Sequence, residues 1–215
     1  MKPSMLAVGL LMAVFAAHAR PADVQRETLR THELAQADVA TLRGLALGFV
    51  SSKTDTPESD LTVFPQELAL SPSKSIVGFI GEDFSDHSSR VDRCYVAVFD
   101  RSSNMLSVVD RNFHSDSSED STPCRSAKTY SVHRQSDGSA WIAFLASYAN
   151  PQTGSSDDDE VIEVYRLDAA SDVLCYDEAA TGEVNASGTL PDASALIKIL
   201  SARKPGASSQ CSKPI

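Results

Sequence analysis

The residue types that carry reactions are present in this chain but scattered. Four histidines lie beyond residue 19, His32, His87, His114 and His133, and none stands in a metal or protease spacing such as His-Glu-x-x-His. The Gly-x-Ser-x-Gly turn that raises a nucleophilic serine is missing from the sequence. So are a glycine-rich phosphate loop and a basic stripe interleaved with aromatics. No cofactor is therefore expected and no catalytic residue is assigned. His133, near Asp137 in an expected strand, reads as an exposed or satisfied strand histidine rather than a catalytic base. Were the chain a hydrolase with dispersed residues, His114 with Asp116, or His87 with Asp86, would be its first candidates.

Carboxylates are the more organised signal. Asp83, Asp86 and Asp92 crowd one connection together with His87, and Asp157, Asp158, Asp159 and Glu160 crowd another. Calcium takes six to eight oxygens, and the Asp-x-Asp-x-Asp-Gly spacing that wraps a chain around it is not found here, so no metal site is assigned. The expectation is a pair of solvated acidic loops, which at the same end of a sheet would form one negative rim for a partner to meet. The whole chain has 19 basic and 29 acidic side chains. That balance repels nucleic acid and anionic membrane at long range and attracts a basic protein.

The first nineteen residues explain where such a domain would work. Lys2 precedes an uncharged apolar run over residues 5–17, and Ala17-His18-Ala19 ends it with small residues at the two positions a signal peptidase reads. The run is short for a membrane span, and no later stretch approaches that length, so no stable membrane insertion is expected. Cleavage after Ala19 would leave residues 20–215 as a single mature domain of formal charge −11, since Lys2 is the one charged residue removed. Cys94, Cys124, Cys175 and Cys211 all fall in that part. An even number in an oxidising periplasmic or extracellular compartment suggests two disulfides. Three pairings are possible. The expected one is Cys94–Cys124, closing a hairpin region, with Cys175–Cys211 tying the tail to the body. Gaps of 29, 50 and 35 residues contain no Cys-x-x-Cys pair for a metal.

The remaining sequence must position these groups. Ala35, Val39, Leu42 and Ala46 recur at helical spacing and predict a short N-terminal helix over 34–47, ending near Gly48. From Leu61 to Asp177, short β-branched and aromatic runs alternate with turn clusters, which predicts a mainly β core of antiparallel hairpins and meanders over 61–177. The expected strands are 61–64, 76–80, 94–99, 106–110, 130–134, 140–147, 161–167 and 173–176. Residues 101–104, 136–139 and 169–172 carry turn chemistry, and 111–126 and 149–160 read as long loops. Pro191-Asp192 before Leu196, Ile199 and Leu200 predicts a short capped C-terminal helix over 191–202. The tail after Lys204 is expected to be loose except at Cys211. Trp141 is placed in the core, and Asn185-Ala186-Ser187 matches a glycosylation sequon.

An internal repeat runs through the β region. A shift of 65 residues lays Ser71–Ile80 on Ser136–Leu145, and a shift of 68 lays Val96, Asp100, Ser103 and Leu106 on Val164, Asp168, Ser171 and Leu174. Each unit reads turn, strand, long loop, strand, tight turn, strand. This order resembles one blade of the TolB-type, WD-like β-propeller repeats over roughly residues 66–110 and 131–177. The resemblance implies two blade-like units and a binding surface rather than a reaction. Lys74, Asn104 and Asp172 depart from the glycines of that pattern, and two units do not close a ring.

These readings converge on an exported, acidic, non-enzymatic domain that binds a basic protein through Asp83, Asp86, Asp92, Asp157, Asp158, Asp159 and Glu160. In its sharpest form it is an inhibitor or immunity protein against a basic enzyme acting on the cell envelope. A secreted hydrolase and an envelope structural module are the alternatives, the last expected to show a broad apolar patch instead of an acidic rim.

Overall fold

The computed structural model describes residues 31–53, 61–83, 91–111, 123–149, 159–168, 170–203 and 210–215. Residues 1–19, on which the export signal was read, lie outside them. Among the described residues, ten strands form two antiparallel sheets. The first has the order β1-β2-β3-β4-β5-β10 and the second β6-β7-β8-β9. In chain order the strands are β1 (Thr31–Glu33), β2 (Thr62–Ala69), β3 (Lys74–Asp83), β4 (Val91–Asp100), β5 (Met105–Val109), β6 (Cys124–Arg134), β7 (Ala140–Tyr148), β8 (Asp159–Asp168), β9 (Val173–Tyr176) and β10 (Ser212–Pro214). The helices are α1 (Gln36–Lys53), α2 (Glu178–Asn185) and α3 (Ala193–Ala202). The protein is thus mainly β, as the turn-punctuated apolar runs predicted, and no described helix is long and apolar enough to cross a membrane.

Four layers follow from which residues alternate on each strand. Leu42, Ala46, Phe49 and Val50 of α1 pack on Val77, Phe79, Tyr95 and Phe99. The opposite face of that sheet, with Ile76, Val96 and Val98, packs on Ile142, Phe144 and Tyr165 of the second sheet. The far face of the second sheet, with Trp141, Ile162 and Val164, is covered by Ala180 and Val184 of α2 and Leu196 and Leu200 of α3. Close approach of α1 depends on Gly81, where a Cβ would fall 2.5 Å from Val50 Cγ2.

The two repeat units form successive four-stranded meanders, β2–β5 and β6–β9. Ile76 faces the second sheet, while its counterpart Trp141 faces α2 and α3; Phe79 faces α1, while its counterpart Phe144 faces the first sheet. The meanders are therefore stacked in the same sense, and the helices cover the two faces that stacking leaves over. Asp100 accepts from the Ser102 and Ser103 amides and Asp168 from those of Ala170 and Ser171. Asn104 and Asp172, each at φ 54°, complete equivalent left-handed turns. Lys74 and Asp172, two residues that break the glycine pattern, bond each other across the sheets at 2.7 Å.

Several boundaries differ from the sequence reading. α1 passes Gly48 and runs to Lys53, because Phe49 and Val50 are buried against the sheet and extend its packed face. Residues 124–126 and 159–160, expected in loops, belong to β6 and β8. Residues 204–209 of the tail lie outside the described residues, but 210–215 are held: Ser212–Pro214 pairs with β5, and Cys211 bridges Cys175 of β9 as expected. That segment joins the two sheets along one side and leaves β1 and β6 as the open edges. Both disulfides have the expected pairing, but Cys94–Cys124 ties the first sheet to the second rather than closing a hairpin.

α2 was not foreseen, and it acts as a substitute strand. On β8, β9 covers Tyr165–Asp168 and reaches no further. Beyond it, the Asn185 side chain accepts from the Ile162 amide (3.0 Å) and donates to the Ile162 carbonyl (2.8 Å), while Thr181 Oγ1 accepts from the Val164 amide (3.0 Å). Asn185 Nδ2 also donates to the Thr181 carbonyl at 2.7 Å, so a glycan at this sequon would displace a proton already in use. Asn185→Ala is expected to lower stability by about 2 kcal/mol, because two backbone groups of β8 lose their partner. Urea unfolding checks this, and an unchanged midpoint would contradict it.

Candidate functional site

Within the two meanders, the long strand-to-strand connections leave one end of the stack, and the tight turns lie at the other. Pairing in the β3–β4 hairpin runs outward from Ile80–Cys94 through Glu82–Asp92 to Asp83–Val91. In the second sheet, Cys124 pairs with Tyr148, which pairs with Asp159. Since Cys94 and Cys124 are bonded, the roots of both acidic connections meet at the same end. Asp92 is half-buried, and Asp159 and Glu160 are exposed there. Asp83 is placed by its backbone pairing at the root of the first connection. Asp86, Asp157 and Asp158 lie outside the described residues, as do His87, His114 and Asp116. Among the described residues, no group of three or more His, Cys, Asp or Glu side chains is placed to hold a metal ion.

Beneath this end of the stack lies a buried polar cluster that sequence reasoning missed. Glu163, on β8, is 1 % exposed and takes three donors on its carboxylate. Arg111, which lies just beyond the end of β5 in the first sheet, and the Tyr148 hydroxyl both donate to Oε1. The Tyr165 hydroxyl donates to Oε2 at 2.8 Å. The guanidinium of Arg111 also sits over the Tyr176 ring, 4.2 Å from its centroid. The cluster thus joins β5, β7, β8 and β9, with Tyr148 outermost, packed against the small apolar group around the Cys94–Cys124 bridge.

Electrostatics match that geometry. Burial and the Glu163 charge both push the Tyr148 and Tyr165 hydroxyls well above their usual range, against the opposing pull of Arg111. Burial also raises Tyr176. Burial, the largest single influence, would by itself lower Arg111, but the Glu163 carboxylate together with the Tyr165, Tyr148 and Tyr176 hydroxyls holds the guanidinium above its ordinary value. The carboxylate is enclosed and accepts three hydrogen bonds, from its own strand, from β7 and from the first sheet. The arrangement is a tie between the sheets.

One histidine–serine pair is present on the outer face. His133 Nε2 lies 3.0 Å from Ser201 Oγ on α3. Ser201 Oγ also lies 2.7 Å from the Ile197 carbonyl one turn earlier on α3, a local hydrogen bond that occupies the hydroxyl. His133 is a satisfied strand residue. The sequence signal for Glu163 was its place on the inward face of the mostly apolar run Val161–Leu167, two residues before Tyr165 and hence on the same side of the strand. Arg111 has no comparable local signature. Compared with known protein families, characterised proteins and solved structures, the chain matches none.

Proposed function

We propose that the chain is an exported, acidic binding domain that captures a basic protein through the rim formed by its β3–β4 and β7–β8 connections. The observation that carries this reading is the Cys94–Cys124 link, which holds the roots of two carboxylate-rich segments at one end of a rigid stack. Two disulfides suit an oxidising compartment, in keeping with the signal-like first nineteen residues. Negative potential concentrated at one end speeds encounter with a cationic surface and rejects anionic ones. The inhibitory or immunity role against a basic envelope-targeting enzyme is the narrower form of this reading, and the blade-like repeat supplies only the scaffold.

Capture from envelope and secreted fractions tests it, at low salt and at about 0.5 M salt, where the Debye length falls to roughly 4–5 Å. A basic protein retained at low salt and released at high salt is the expected result. Asp159→Lys combined with Glu160→Lys should cut its association rate about tenfold or more. Equal capture by that variant, or hydrolytic turnover of envelope material by the purified domain with no protein captured, would overturn the proposal.

A further inference from the structure

The second sheet ends on an edge whose charge is opposite to that of the molecule. β6 carries Arg125, Lys128 and Arg134 and no acidic residue, in a chain of formal charge −10. All three cations are exposed. Five basic side chains elsewhere, Lys53, Lys74, Arg101, Arg111 and Arg203, are held in ion pairs. Among the described residues, Arg125, Lys128 and Arg134 have no such partner, and no backbone group outside β7 bonds to β6.

The edge has a wall as well as a charge. Lys128 pairs with Leu145, and His133 with Trp141, so Lys128 and His133 lie on the face covered by the helices. Arg134 pairs with Ala140 and lies on the opposite face. On the helical side α3 runs alongside, held by the His133–Ser201 contact. Ile197, one turn before Ser201, is among the few large apolar residues left exposed. An extended segment laid on β6 would therefore meet a cation on each face and an apolar helix side chain on one.

We propose that the open edge of β6, walled by α3, binds an extended acidic segment of another protein by taking it as a fifth strand of the second sheet. Main-chain hydrogen bonds would give such a segment its affinity, and alternate side chains its specificity. The register of β6 on β7 shifts between Cys124 and Ser126 and again between Thr129 and Ser131, which divides the edge into two flat runs, 126–129 and 131–134. Those bulges and the row of cations oppose pairing with a second copy, whose β6 would bring like charges opposite each other. The same row favours carboxylates. Nucleic acid is disfavoured because the molecule as a whole repels it at long range.

The test uses the full disulfide-bonded chain and a blocked synthetic peptide of alternating valine and threonine with two glutamates at each end. Saturable binding at about 0.15 M salt, with slowed hydrogen exchange of amides in 126–134, is the expected result. The same peptide with alternate backbone amides N-methylated keeps its charge but loses main-chain donors, and should bind at least about tenfold more weakly. Lys128→Glu with Arg134→Glu should abolish binding and accept instead a peptide whose glutamates are replaced by lysines; Lys128→Gln with Arg134→Gln, also binding at least about tenfold more weakly, serves if the reversed variant does not fold. The proposal is overturned by no saturable binding, by equal binding of the methylated peptide, by protection at β1 or the acidic end instead, or by self-association through β6 in sedimentation.

Discussion

Replacing Glu163 by alanine is expected to cost about 3–5 kcal/mol of stability, measured as a shift in the urea midpoint at unchanged slope. The carboxylate is 1 % exposed and receives Arg111, Tyr148 and Tyr165. Its removal leaves a guanidinium facing a dry interior without its counter-charge, and two tyrosine hydroxyls without their acceptor. Glu163→Gln keeps an acceptor but loses the charge, and should cost less. The informative comparison is Arg111→Met combined with Glu163→Leu. Apolar residues of similar volume need no mutual neutralisation, so the double variant should be more stable than either single one. If instead the two losses simply add, the pair is not coupled and the account of the cluster given above fails.

The dependence of this cluster on tertiary structure explains why the sequence exposed so little of it. Glu163 and Tyr165 sit two apart on a strand, a relation that period-2 alternation makes readable. Their partners come from elsewhere: Tyr148 from the neighbouring strand, and Arg111 from the other sheet. Nothing local marks Arg111, which begins the segment read as a serine- and aspartate-rich loop. The acidic residues were the reverse case. Their crowding was visible as composition, whereas the meeting of the strand ends that carry Asp92 and Asp159 required the topology and the Cys94–Cys124 bond.

Elements followed the same rule. Strands with tight turns were legible because Asn104, Gly138 and Asp172 take positive φ, and such positions admit few residue types. β1 and β10, three residues each, were missed; they are fixed by pairing to β2 and β5 rather than by any alternation of their own. α2 was missed because Glu178–Asn185 buries Ala180, Thr181 and Val184, a weakly apolar face, and owes its position to Asn185 and Thr181 completing the edge of β8. One local cue was available: Asp177 caps the helix by accepting from the Ala180 amide at 2.8 Å.

Alkaline solution should unfold the domain with a steep and assignable pH dependence. Tyr148, Tyr165 and Tyr176 all have hydroxyls raised above the ordinary value of 10.0, chiefly by burial. In the unfolded chain these groups lose their protons near that ordinary value, while in the folded protein they retain them. Stability contributed by a raised group is complete below the unfolded value and falls as pH climbs above it, because the unfolded state then binds fewer protons. Each such tyrosine contributes a slope of about 1.4 kcal/mol per pH unit, so three acting together approach about 4 kcal/mol per unit above pH 10. Tyrosinate absorbance should appear with loss of the fold rather than before it, and Tyr148→Phe with Tyr165→Phe should flatten the slope to about a third. A gradual tyrosinate titration near pH 10 in protein that stays folded would show that water reaches the cluster, and with it that Glu163 is not sealed between the sheets.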